Sequence, residues 1–87
     1  FKKYNVLIHS DEEIDQKLEK IFLEVFEIDS IDMNATIDDV PEWDSFGHFE
    51  LMMGIEKQFD IKIKMSDFPS MTSLPKIKIK IQEYEHE

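Results

Sequence analysis

The sequence predicts an all-α fold: a small four-helix bundle with three main helices and one short helix. Two observations mark the first two of its helices. The stretch "SDEE" at 10–13 supplies Ser10 as a cap and Glu13, three residues on, to reach back and close a capping box ahead of an amphipathic run. The stretch "WDSF" at 43–46 places Asp44 in the capping position ahead of a second apolar-rich run.

The first helix is expected over about 11–27, because Ile14, Leu18, Ile21, Phe22, Val25 and Phe26 recur at three- and four-residue steps. Glu12, Asp15, Glu19 and Glu27 fall mostly on the opposite side. The following "DSIDMNATIDDVPEW" is polar and acidic, with Ile31, Met33, Ile37 and Val40 at no fixed period, and reads as a long loop. A loop of that length must pack down or work, and its spaced apolar residues suit it to lying across the open end of the bundle.

In the second helix, Phe46, Phe49, Met52, Met53 and Ile55 form an expected apolar stripe before Phe59, and Gly54 within it points to close packing. The remainder is ambiguous by pattern alone. Its two Ile-Lys alternations have the period of strands, but pairing them would bring lysines together on one face. As a helix over 74–84, with Thr72 or Ser73 as cap and Pro75 in the first turn, it gathers Leu74, Ile77, Ile81 and Tyr84 on one face and leaves Ile79 outside. A short turn is expected near 66–68. Met52, Met53, Met65 and Met71 are expected to fill the core.

Eighty-seven residues suffice for one domain with a modest core, and an enzyme this short would be unusual. Residues 1–9 read as an N-terminal extension and 10–87 as the domain. The net charge of −10, from twenty acidic and ten basic residues, repels nucleic acid and anionic lipid and favours partners with basic surfaces. No apolar run approaches the ~20 residues that span a bilayer. Neither a signal peptide nor a membrane partner is expected, and the chain reads as a cytoplasmic monomer. Cysteine is absent, so any thiol chemistry must be imported.

Ser45 is the residue with chemical promise. A helix N-terminus presents unpaired N–H groups and the positive end of the macrodipole, which suits a serine there to carry a phosphodiester. By position alone, the plainer reading is a good first-turn residue behind an Asp cap.

The surrounding string alters that balance. "DSFGHFELMMGIEKQFDIKI" resembles the attachment region of acyl carrier proteins, in which an Asp-Ser-Leu motif opens the second helix of a small acidic bundle. The likeness runs from about Asp38 to Ile81: Phe46, Phe49, Met52 and Ile55 stand at that family's core positions, "EKQFDIKI" matches its helix end, and "MTSL" its entry to the last helix. It also favours helix over hairpin for 74–84. The resemblance implies a non-catalytic carrier. Ser45 would be the attachment site of 4'-phosphopantetheine, installed from coenzyme A by a phosphopantetheinyl transferase, and the arm's thiol would carry an acyl group as a thioester. Asp44 would cap the helix and help meet the transferase, and Trp43 would close the loop over the helix start. Loading and acyl-transfer enzymes with basic docking patches would meet the second helix and its preceding loop, at Trp43, Phe46, His48, Glu50, Glu56 and Asp60.

Two departures leave the cargo open. The family's Leu after the serine is Phe46, as also in D-alanyl carrier proteins, and the exposed face of the second helix is less acidic than in carriers of fatty acid synthesis. Phe46 and Phe49 could fill the space an acyl chain needs, so a short or polar acyl group is expected. An aminoacyl carrier is the alternative, and a helical interaction module without the arm is the rival from another class. Other chemistry finds little support. "DMNATIDDVPEW" lacks the glycine and glutamate of a calcium loop, the three histidines are scattered, and no Gly-x-Ser-x-Gly elbow surrounds Ser45. No metal site is expected. His48, one turn beyond Ser45, suits either a partner contact or a plain surface position.

Overall fold

The computed structural model describes residues 9–86. They form an all-α bundle of three main helices, α1 (Asp11–Phe26), α2 (Ser45–Phe59) and α3 (Leu74–Glu85), with a six-residue 3-10 helix at Met65–Ser70 ahead of α3. A single 3-10 turn, Ile37–Asp39, interrupts the long first loop.

Each main helix starts at a local side-chain cap. Ser10 and Glu13 close the expected capping box on α1. The Asp44 carboxylate accepts from Gly47 N–H at the start of α2, and the Ser73 hydroxyl from Lys76 N–H at the start of α3. Both α1 and α2 end on an acidic residue in the left-handed region, Glu27 (φ 53°) and Asp60 (φ 55°). Residues 74–84, open to a strand reading by their alternation, are helical with Ile79 outside and Ile77 and Ile81 fully buried. The Ser73 cap, Pro75 in the first turn and the buried face of Leu74, Ile77 and Ile81 all agree with helix.

The core is one cluster built from all three helices, and the first loop caps it. Phe22, Phe26 and Trp43 form an aromatic group, with Phe22 and Trp43 edge to face at 5.0 Å. Ala35 and Val40 are buried beside it. The loop is also tied to the entry of α3: Ile37 N–H donates to Thr72 O (2.8 Å) and Leu74 N–H to Ala35 O (3.0 Å). It therefore lies across the bundle end, as its spaced apolar residues predict. At the other end His9, expected to belong to the extension, sits edge-on to Phe59 with its Nδ1 2.5 Å from Glu85 Oε2. Residues 1–8 lie outside the described residues.

Helix α2 differs from expectation in which apolar residues it buries. Leu51, Met52, Ile55 and Phe59 face inward, whereas Phe46 (71% exposed), Phe49 (47%) and Met53 (52%) do not. At ~100° per residue the two sets lie roughly 140° apart around the axis, so the expected single stripe is two stripes. Met65, too, is exposed, leaving Met52 and Met71 as the core methionines. Gly54 packs near α1: a Cβ there would stand 3.2 Å from Ile21 Cγ2.

Candidate functional site

The start of α2 is shaped by the turn before it. Trp43 N–H donates to Val40 O (2.9 Å) and Asp44 N–H to Glu42 O (3.0 Å), which folds residues 40–44 back onto the first helical turn. That approach requires Gly47. A Cβ at Gly47 would lie 2.7 Å from Glu42 O and 2.8 Å from Phe26 Cε1, both closer than packed atoms allow. The glycine thus seats the Trp43 turn, a role its place in a helix does not advertise.

Ser45 is the first residue of α2 and is exposed. The Asp44 Oδ1 is committed to Gly47 N–H (2.8 Å), and His48 N–H closes the first helical bond to Asp44 O. Among the described residues no protein acceptor takes the N–H groups of Ser45 and Phe46, the two donors a helix leaves open behind such a cap. Alongside runs an open groove walled by Ile37, Asp38, Trp43, His48, Phe68, Pro69 and Thr72. An exposed hydroxyl and two free helical N–H groups stand beside a groove of mixed polar and apolar lining, and the helix start favours an anionic group there.

The expected partner-contact residues divide. Phe46 and Glu50 are exposed and share a shallow depression with Glu24, Val25, Glu27, Phe49 and Met53. Trp43, expected at the docking surface, is only 2% exposed and supports the site from behind. Glu56, expected on the free acidic face, is half-buried and accepts Ile63 N–H at 2.8 Å, which anchors the chain after α2. Asp60 is exposed but serves as the left-handed C-cap. His48 is neither surface filler nor plain docking residue. It accepts a hydrogen bond from the Trp43 indole N–H at Nδ1 (2.8 Å), and its Nε2–H donates to Phe68 O (2.8 Å). Its histidine type flags it in the sequence, but its partner Phe68 lies 20 residues away.

A second polar cluster holds the other face of the Met65–Ser70 helix to α3. The Tyr84 hydroxyl donates to Asp67 and accepts Lys64 N–H at 2.9 Å, while Lys80 Nζ lies 3.7 Å from Asp67 Oδ1. The Tyr84 hydroxyl holds the Asp67 carboxyl below its ordinary range; burial opposes it, and the charges of Lys80 and Lys64 add to the lowering. Burial first and the Asp67 bond second push the Tyr84 phenol up. No group of His, Asp or Glu among the described residues is arranged to hold a metal ion, and no described helix is long and apolar enough to cross a membrane.

Comparison with known proteins returns no match: no family model, no curated protein and no solved structure is significantly similar to this chain.

Proposed function

We propose that the protein is an acyl carrier protein whose Ser45 hydroxyl carries a 4'-phosphopantetheine arm. The observation that carries this reading is the position of Ser45: exposed, first in α2, behind a cap that leaves two helical N–H groups free. It joins the extended motif of residues 44–63 and a three-helix architecture with a short helix before the last. The arm, when attached, supplies the thiol that a chain without cysteine lacks and holds the cargo as a thioester.

The chain's own residues do the rest. Asp44 fixes the helix start, so Ser45 is presented on rigid backbone rather than on a mobile loop. The free N–H groups and the macrodipole favour the phosphodiester's charge. Partners with basic surfaces would meet the apolar patch of Phe46, Phe49 and Met53, whose rim carries Glu24, Glu27 and Glu50. Such rim charges govern encounter more than final affinity. The domain itself performs no catalysis in this reading. A short acyl, longer acyl or aminoacyl cargo each fits this chemistry, and the exposure of Phe46 and Phe49 removes the argument that these rings fill an interior acyl space.

Incubation with coenzyme A and a broad-specificity phosphopantetheinyl transferase, followed by intact mass, tests the reading. The parent should gain one phosphopantetheine and Ser45→Ala none. No gain with several transferases would favour an interaction module that keeps the fold without the arm.

A further inference from the structure

Two hydrogen bonds determine the protonation state of His48. The indole N–H of Trp43 can only donate, so Nδ1 must be an unprotonated acceptor; the carbonyl of Phe68 can only accept, so Nε2 must carry the proton. The folded arrangement therefore needs the neutral Nε2–H tautomer, and an imidazolium would set Nδ1–H against the indole N–H. Trp43 has no simple replacement acceptor, being 2% exposed and enclosed by Phe22 and Phe26.

The bonds also join two elements across the groove beside Ser45. His48 belongs to α2, one turn after Ser45, and Phe68 to the Met65–Ser70 helix that forms the groove's far wall with Pro69. Beyond this bond, Phe68 meets α2 through ring contacts with His48 and Phe49, each at 6.4 Å between centroids. Among the described residues, Tyr84 and Lys80 hold the same helix to α3 through Asp67, and Phe68 packs against the core. We infer that neutral His48 is a proton-sensitive clasp, a positioning residue that holds the Met65–Ser70 helix against α2 and so sets the width of the groove at Ser45.

The charged groups around His48 determine what a proton would do. Asp38 from the Ile37–Asp39 turn and Asp44 from the start of α2 line the groove with it. Asp67, next to Phe68 in sequence, is drawn toward Tyr84 and Lys80, and α1 offers only the apolar rings behind Trp43. An imidazolium would be attracted toward Asp38 and Asp44, away from the indole, which frees Trp43 N–H. A proton on Nδ1 would therefore break the Trp43 bond and open the clasp.

The inference deepens the proposed function by regulating access to the same serine, yet it concerns the groove and not the arm. It is tested on the full, unmodified chain, so failure here leaves Ser45 attachment standing, and failure of attachment leaves the clasp standing. Nitrogen-15 NMR at about pH 8 should show His48 as the Nε2–H tautomer with Nδ1 unprotonated. As the His48 ring titrates, the hydrogen-exchange protection factors of the Trp43 indole N–H and of Met71 N–H, which donates to Phe68 O, should fall at least about tenfold, while amides inside α1 hold. His48→Gln, which keeps one donor and one acceptor but does not titrate, should abolish that pH dependence. An Nδ1–H tautomer at pH 8, or protection unchanged through the His48 titration, would overturn the inference without any variant. Loss of protection that persists in His48→Gln would also overturn it and assign the effect to a carboxylate or to another histidine.

Discussion

Along α1 the outward residues are charged or polar, among them Glu12, Gln16, Glu19 and Lys20, whereas along α2 the outward side carries Phe46, Phe49 and Met53 as well as Glu50 and Lys57. Both helices bury an equally apolar inner face. The difference separates two uses of the same side-chain chemistry. Apolar residues on α1 hold the bundle together, and there the pattern alone shows which ones. On α2 a second apolar stripe survives in water without contributing to the core, beside the serine that carries the proposed chemistry.

The comparison is broken most severely from the inside. Leu51→Ala should cost about 2–5 kcal/mol, because Leu51 is fully buried and its loss leaves a cavity between α1 and α2. Urea unfolding measures it, and a near-neutral result would mean that α2's inner stripe is misidentified. Gly47→Ala should cost about 1–3 kcal/mol, since its methyl group meets the Glu42 carbonyl and the Phe26 ring. Trp43 fluorescence should shift with it, as the 40–44 turn is pushed off the helix. An unchanged emission spectrum and midpoint would show that the turn yields freely.

A smaller effect is expected where the Met65–Ser70 helix meets α3. Tyr84→Phe removes a donor to Asp67 and an acceptor for Lys64 N–H, which should cost about 1 kcal/mol near neutral pH. The sign of its pH dependence follows from the two shifts. Asp67 is held low in the folded state, so its contribution is present above about pH 4 and lost as pH falls through the folded value. Tyr84 is held high, so its contribution is present below about pH 10 and lost as pH rises beyond that. Stability against pH in parent and variant checks both, and identical alkaline limbs would remove Tyr84 from the account.

The smallest effect belongs to the outer stripe. Phe46→Ser should move stability by no more than about 0.5 kcal/mol, because the ring is largely in water. If the stripe serves partners, the same change should slow arm attachment or acylation. A large stability loss would place Phe46 in the fold and return α2 to the pattern of α1.

The helix boundaries were legible because their causes are local. Ser10 with Glu13, Asp44 and Ser73 each bond within three residues, so a reader of the chain can see the caps. Ser45 was legible as the residue presented at α2's start for the same reason. The facing of α2 was not, because seven apolar residues on two stripes satisfy a helical period about equally well and only contact with α1 selects one. The buried position of Trp43 and the structural bond of Glu56 were hidden similarly, since Trp43 and Glu56 gain their roles from Phe22 and Ile63.

Sequence by itself determined the helical class, the starts of all three main helices and the placement of a serine at a capped helix end, because capping and amphipathic period act over three to four residues. Tertiary structure alone decided that Phe46 and Phe49 face water and that His48 joins Trp43 to Phe68. Those outcomes depend on surfaces brought together from 20 or more residues apart in the chain, as His48 and Phe68 are, and a local pattern holds no record of which partner will be there.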